Sequence, residues 1–203
     1  MRVIAGQFRG RVLAAPESAA TRPTTDRVRE AVFSSLYSRL GGFDGARVLD
    51  AFAGSGALGI EALSRGARSC CFFENDPAVA TTLSGNISSC GIEARRARVL
   101  VADVLAQSWP ARQAPGPFEL VLLDPPYALS ASDVCGLLER MAAAGCLADG
   151  AVVYYEHAYV KGDERAALFE HGGLFTCTGQ KKYGKIAATY LRCECGGEQG
   201  RGL

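Results

Sequence analysis

Apolar and polar positions change period several times along this chain, and the changes divide it into elements. From about residue 47 onward, short apolar runs alternate with helical stripes. Residues 47–52 read as a strand, 57–65 as a helix closed by Gly66, and 69–74 as a second strand. Asp76 is placed to cap a helix that has Pro77 at its first position and stops near Gly91. Residues 99–102 and 118–123 predict a third and a fourth strand. Val134, Leu137, Leu138 and Met141 have the spacing of one apolar helix face. A fifth strand is expected over 151–156, after a turn at Asp149-Gly150, and then a helix over 164–170. Two strand-like stretches, 174–178 and 186–193, are joined by a Lys/Gly segment at 179–185 and predict an antiparallel hairpin. The alternation predicts an α/β fold whose sheet is parallel through at least its first five strands. Ahead of it, residues 2–5 and 11–14 predict a short basic hairpin. Thr25 is a candidate N-cap for a helix whose apolar stripe is Val28, Ala31, Val32 and Leu36.

Composition refines this picture in three ways. At 203 residues, 48% hydrophobic and 21% charged, the chain suits one globular domain over 1–203. Within it, 1–40 are expected to form a basic hairpin and helix, 41–193 a catalytic α/β core, and 194–203 a flexible Gly-rich tail. Without a membrane-length apolar run or an export signal, the expected location is cytoplasmic. The eight cysteines show no C-x2-C pair, and the two histidines, His157 and His171, add no metal spacing. Free buried thiols are therefore expected rather than disulfides, and no metal site. The net charge of +1 hides a segregation. Residues 1–30 hold six arginines against three acids, a balance of +3, and 178–192 hold four basic residues and no acid, +4, which leaves −6 for the rest. Two basic ends on an acidic body suit a polyanionic partner.

Candidate chemistry lies at the ends of the predicted strands. Asp124-Pro125-Pro126-Tyr127 follows the fourth strand directly. Each proline fixes φ and removes an N–H, so the loop holds its carbonyls in set directions beside an aromatic ring. Such a loop suits a planar group bearing an amine. Gly54, Gly56 and Gly59 in Asp50-Ala51-Phe52-Ala53-Gly54-Ser55-Gly56-Ala57-Leu58-Gly59 match G-x-G-x-x-G, with Glu74 twenty positions after Gly54. That pattern suits any ligand with a ribose diol near Glu74. Asp50 separates the possibilities, because a carboxylate at this strand end repels a pyrophosphate and favours an ammonium. Asp103, after the third strand, is placed to accept from an adenine amine. One extended cationic ligand, S-adenosylmethionine, matches all three acids. Its site is expected to include Asp50, Phe52, Ala53, Gly54, Ser55, Gly56, Glu74, Asn75, Asp103 and Val104. A nicotinamide-dependent oxidoreductase shares the glycine loop, but Asp50 argues against it.

With these residues in this order, the chain resembles class I S-adenosylmethionine-dependent methyltransferases. Asp124-Pro125-Pro126-Tyr127 is similar to the motif of enzymes that methylate exocyclic amines of bases. The block Arg22-Pro23-Thr24-Thr25-Asp26-Arg27-Val28-Arg29-Glu30 is far more specific. With Arg2-Val3-Ile4-Ala5-Gly6 and Glu61-Ala62-Leu63-Ser64-Arg65-Gly66-Ala67, it is similar to the bacterial 16S ribosomal RNA (guanine(966)-N2)-methyltransferases across essentially residues 2–192. The chain departs at Phe73-Glu74-Asn75-Asp76, where that family often has Val-Glu-x-Asp, and it keeps the acid. The resemblance implies a Rossmann-like, seven-stranded sheet with a reversed last strand and an N-terminal hairpin that helps bind RNA. It implies Asp124, Pro125, Pro126 and Tyr127 as the catalytic set, and 16S rRNA in the small ribosomal subunit or its assembly intermediate as partner of a monomer. Arg9, Arg11, Arg22, Thr25, Arg29, Lys181, Lys182, Tyr183 and Lys185 are the expected RNA contacts. An adenine-N6 methyltransferase is the nearest alternative, and a non-catalytic RNA-binding assembly factor the alternative from another class.

Overall fold

The computed structural model describes residues 1–16, 25–106, 114, 116–163 and 165–195. Among them, seven strands form one sheet: β1 Arg47–Asp50, β2 Ser69–Glu74, β3 Ala97–Val101, β4 Phe118–Leu123, β5 Leu147–Ala158, β6 Phe175–Tyr183 and β7 Ile186–Cys193. The helices are α1 Asp26–Leu40, α2 Ala57–Ser64, α3 Pro77–Ser89, α4 Ala131–Ala143 and α5 Arg165–Glu170. Strand order is β3-β2-β1-β4-β5-β7-β6. β1 through β5 pair in parallel, and β7 runs antiparallel to β5 and β6. The seven-stranded, mostly parallel sheet with a reversed last strand is thus the one expected. Its order turns back between β1 and β4, which opens a crevice at the carboxyl ends of those strands.

Strands covered on both faces must be apolar at every position, and the core divides accordingly. Val48 of β1 and Phe72 of β2 face one layer, with the N-terminal segment and α1 to α3: Val3, Phe8, Phe33, Leu36, Ile60, Leu63 and Leu83. Their neighbours Leu49 and Phe73 face the other layer, with Leu137, Leu138 and Met141 of α4 and Phe169 of α5. Helix starts follow their caps. Thr25 Oγ1 accepts the Val28 N–H at 3.4 Å, Asp76 Oδ1 accepts that of Ala78 at 2.8 Å, and Ser130 forms a capping box with Asp133.

Three expectations need correction. Asp149-Gly150 is not a turn before β5 but a bulge within it, where the β4–β5 register shifts from Phe118↔Leu147 to Leu120↔Val152. The 179–185 segment is not a loop. β6 continues through Tyr183, which puts Lys181, Lys182 and Tyr183 on a strand and leaves Gly184 and Lys185 between β6 and β7. The N-terminal hairpin, by contrast, forms as expected: around the bridge Arg2↔Val12, Leu13 N donates to the Met1 carbonyl at 2.8 Å and Val3 N to that of Arg11 at 2.9 Å, and the hairpin as a whole docks on α2. Glu61, fully buried, accepts the N–H groups of Ile4 and Ala5 at 2.7 and 3.1 Å, and Ser64 Oγ accepts that of Phe8 at 2.9 Å. Finally, Cys193 and Cys195 are joined as a disulfide, since the chain bends after β7 and brings their Cα atoms to 5.6 Å. Cys70, Cys71, Cys90, Cys135 and Cys146 are buried free thiols, as expected.

Candidate active site

Each of the five parallel strands carries an acid at or within two residues of its carboxyl end. Across the edge in sheet order these are Asp103 after β3, Glu74 on β2, Asp50 on β1, Asp124 after β4 and Glu156 on β5. All five line one cavity of about 670 Å³, together with Phe52, Ala53, Gly54, Ser55, Asn75, Val104, Pro125, Pro126 and Tyr127. The size is that of a small-molecule site.

Asp50 is 1% exposed. Its Oδ2 accepts the Gly59 N–H at 2.9 Å and so caps the first turn of α2. Its Oδ1 is buried with no partner. Burial, with a smaller push from Glu74, raises its pKa to about 7. Glu74 braces the glycine loop, accepting the Gly54 N–H on Oε2 and the Asp76 N–H on Oε1, both at 2.9 Å. The three glycines serve different ends. A Cβ on Gly54 would meet nothing, so this left-handed residue leaves open space beside the cavity. On Gly56 it would strike Leu83 of α3, and on Gly59 the Phe72 ring, so those two allow α2 to pack. Gly56 is the one expected cofactor residue that does not line the cavity, though its neighbours Ser55 and Ala57 do. Asp103 is exposed and accepts the Leu105 N–H at 2.8 Å.

At the other end of the cavity the proline loop crosses from β4 to the α4 cap in six residues, 124–129. The Leu129 N–H donates to the Pro126 carbonyl at 2.9 Å, closing a turn. Pro125 is buried, and Tyr127 presents its ring with 60% exposure. Burial and the charges of Glu156 and Asp50 push Asp124 well above the usual carboxylate range. Tyr127 is raised as well, by burial first and then by Glu156 and Asp124.

Four contributors escaped the sequence reading. Glu156 is 3% exposed and receives the Tyr154 hydroxyl on Oε2 at 2.5 Å; its position at the end of an apolar run was the available signal. Asn86 of α3 ties the N-terminal segment to the glycine loop, accepting from Ala14 N at 2.8 Å and donating to the carbonyls of Ala14 and Ser55 at 3.0 and 2.9 Å. Met1 and Pro16, the first and last described residues of that segment, also line the cavity.

The expected RNA contacts do not form one group. Arg29 is buried and lines the cavity, where its Nη2 donates to the Arg2 carbonyl at 2.7 Å and to Asp26 at 3.0 Å. Desolvation lowers its pKa against the opposing pull of Glu61 and Asp26. Thr25 caps α1 and does not reach the cavity lining, and Arg22 lies outside the described residues. The β6–β7 turn lies at the cavity edge, since Ile186 pairs with Ala158 of β5. There Lys182 Nζ sits 3.7 Å over the Tyr159 ring, Lys181 Nζ donates to Ser35 Oγ at 2.7 Å, and Lys185 is exposed. Tyr183 is half-buried, with its hydroxyl 3.3 Å from that of Tyr190. Arg9 lies at the opposite edge of the sheet. The tip of its segment docks on the end of α2 through Gln7 N to Ser64 O at 2.7 Å, and on Arg96, just before β3, at 3.4 Å. Arg11 is exposed on the returning arm.

The family described as Conserved hypothetical protein 95 matches residues 1–192. The chain is 42% identical over 157 residues to ribosomal RNA small subunit methyltransferase D of Escherichia coli, covering 77% of this chain and 74% of that one. The solved structure of the Escherichia coli methyltransferase-like protein yhhF superposes with a TM-score of 0.76 at 36% identity, over 96% of this chain and 98% of that one. A protein of Thermus thermophilus gives 0.70 at 29% identity, over 94% and 98%.

Proposed function

Since the chain belongs to the Conserved hypothetical protein 95 family, we propose that it methylates 16S ribosomal RNA, moving a methyl group from S-adenosylmethionine to the exocyclic N2 of a guanine. The cavity fits that donor. The partnerless Oδ1 of Asp50 suits its ammonium, and the space at Gly54 admits a ligand against the backbone. Glu74 and Asp103, on the next two strands, stand where a ribose diol and an adenine amine would be read. Arg29 is the one basic side chain on the cavity wall among the described residues, which makes it the partner for the carboxylate. Bound there, S-adenosylmethionine supplies an electrophilic methyl group on sulfur.

The protein's part is to present the amine. The guanine N2 lone pair is delocalised into the ring, so the amine must be turned before it is nucleophilic. The Asp124 carboxylate and the Pro125 carbonyl each accept one of its N–H groups and stabilise positive charge as it develops on nitrogen. Tyr127, exposed at the mouth, stacks on a base drawn out of its helix or loop, worth on the order of 1–3 kcal/mol. Asp124 then takes the surplus proton, and its raised pKa suits it to do so. The substrate is an assembling small subunit in the cytoplasm, met by one copy of the chain that forms a single functional domain.

The observation that carries this reading is the side-by-side placement of the Asp124 loop and the partnerless Asp50 oxygen on one cavity wall. Labelled S-adenosylmethionine offered with unmethylated small subunits, free 16S rRNA and duplex DNA tests it. Label is expected on a guanine N2 of 16S rRNA. Label on adenine, or only on DNA, would overturn the assignment.

A further inference from the structure

Glu156 is the one acid of the strand-end row to which the proposed activity gives no task. We infer that it accepts the N1–H of the target guanine and thereby decides which base the Asp124 loop will take. The inference rests on the proposed activity toward a guanine amine and extends it from the reaction to base choice.

Register places the two acids together. Leu122 pairs with Tyr154 and Leu123 with Tyr155, so the next positions on these parallel strands are Asp124 and Glu156. Adjacent strands are about 4.8 Å apart, which sets the carboxyl groups side by side. Both line the cavity. The Glu156 side chain is also held firmly. Tyr154, fully buried, donates its hydroxyl to Oε2, and the Tyr154 ring is wedged against that of Tyr190, with centroids 5.8 Å apart. The donated hydroxyl makes Oε2 an acceptor and fixes the orientation of the carboxyl group.

The edge of guanine that carries N2 carries a second donor, N1–H, directly beside it. Two adjacent carboxylates match two adjacent donors. Each donor also offsets the repulsion that the charge of Glu156 exerts on Asp124. Adenine has the opposite pattern, an acceptor N1 beside its amine. A carboxylate at the Glu156 position would face that lone pair, so the same loop that holds an amine would reject adenine. Sites built to pair a polar hydrogen reject analogues lacking it far more strongly than apolar pockets reject a missing methylene.

A base analogue separates this role from a purely structural one. 2-Aminopurine keeps the N2 amine and replaces N1–H with an acceptor. Small subunits are reconstituted with guanine or 2-aminopurine at the modified position, and kcat/KM is measured for each. The wild-type protein is expected to prefer guanine by at least about a hundredfold. Glu156→Gln, whose amide both donates and accepts, is expected to lower guanine methylation and narrow the preference to less than about tenfold. Preservation of the full preference by Glu156→Gln would overturn the inference. So would equal use of both bases by the wild type, a result that does not depend on the variant folding. A wild type that methylates guanine without discrimination sinks only the role of Glu156. One that methylates neither RNA removes the activity on which the inference stands.

Discussion

One oxygen of the Asp50 carboxylate holds the Gly59 N–H at 2.9 Å while the other is buried without a partner, and burial lifts the pKa to about 7. The unfolded chain releases this proton near pH 4, but the ligand-free folded protein keeps it until about pH 7. Stability of the ligand-free protein is therefore expected to fall as pH rises across that window and to level off above it. Asp124, raised for the same reason, acts in the same direction. A cationic ligand reverses the sign, because it needs the ionised carboxylate. Affinity for S-adenosylmethionine should rise with pH up to about 7, by as much as about tenfold per pH unit, and then flatten. Calorimetric titration between about pH 5 and pH 8 measures this, and a flat profile would argue against Asp50 as the ammonium site. Asp124→Asn keeps the shape of the loop but weakens its acceptor. It is expected to lower kcat by roughly a hundredfold or more with little change in S-adenosylmethionine affinity. Wild-type turnover would remove Asp124 from the chemistry.

At the scale of elements, the N-terminal hairpin is held both by its own cross-arm hydrogen bonds and by a helix. Glu61 on α2 accepts two of its backbone N–H groups and pairs with Arg65 at 2.7 Å, all beneath the protein surface. Glu61→Ala leaves two N–H groups without their acceptor and takes from Arg65 one of its two carboxylate partners, the other being Glu30 at 2.7 Å, at an expected cost of about 3–5 kcal/mol. Urea unfolding reads the total. Hydrogen exchange of the variant should show the amides of Ile4 and Ala5 losing protection ahead of those in β1 and β4, because the Glu61 carboxylate is their acceptor. Met1, Pro16 and Asn86 link this segment to the cavity wall and the glycine loop. The same variant should therefore weaken S-adenosylmethionine binding, although Glu61 itself does not line the cavity.

At the scale of the whole molecule, the carboxyl edge of the sheet is acidic within the cavity apart from the buried Arg29, and its exposed basic groups stand at the rim. A row of five acids repels phosphate, so an RNA backbone must be held from outside it. Lys182 and Lys185 at the β6–β7 turn stand on that rim, with Lys181 behind them, whereas Arg9 is at the opposite edge of the sheet. Alanine at the three lysines is expected to weaken RNA binding and to reduce the slope of log affinity against log salt by roughly 2. Alanine at Arg9 and Arg11 should affect kcat/KM less than the lysine set does. Filter binding across a salt series, with methylation rates alongside, checks both; an unchanged slope in the lysine variant would place the phosphate contacts elsewhere.

The elements themselves were legible because their signals are local. β2, β4 and β7 match their apolar runs residue for residue, Asp76 and Thr25 cap the helices they were expected to cap, and the glycine loop and the proline loop each sit at a strand end. The sequence by itself thus determined the α/β alternation and the kinds of groups presented at the site. Strand order could not be read this way, because it depends on which apolar faces bury one another across long separations. That order sets β4 against β1, bringing Asp124 beside Asp50 across some seventy residues of chain. It also brings β5 against β4, and with it Glu156, an acid whose local context is only the end of an apolar strand. The bulge at Asp149-Gly150, the docking of residues 4–8 on Glu61 and Ser64, and the separation of the basic clusters were settled in the same way. Tertiary structure alone decided which carboxylates lose water and which keep it. Burial of Asp50 and Asp124, not their identity, gives them the raised pKa values on which the chemistry depends.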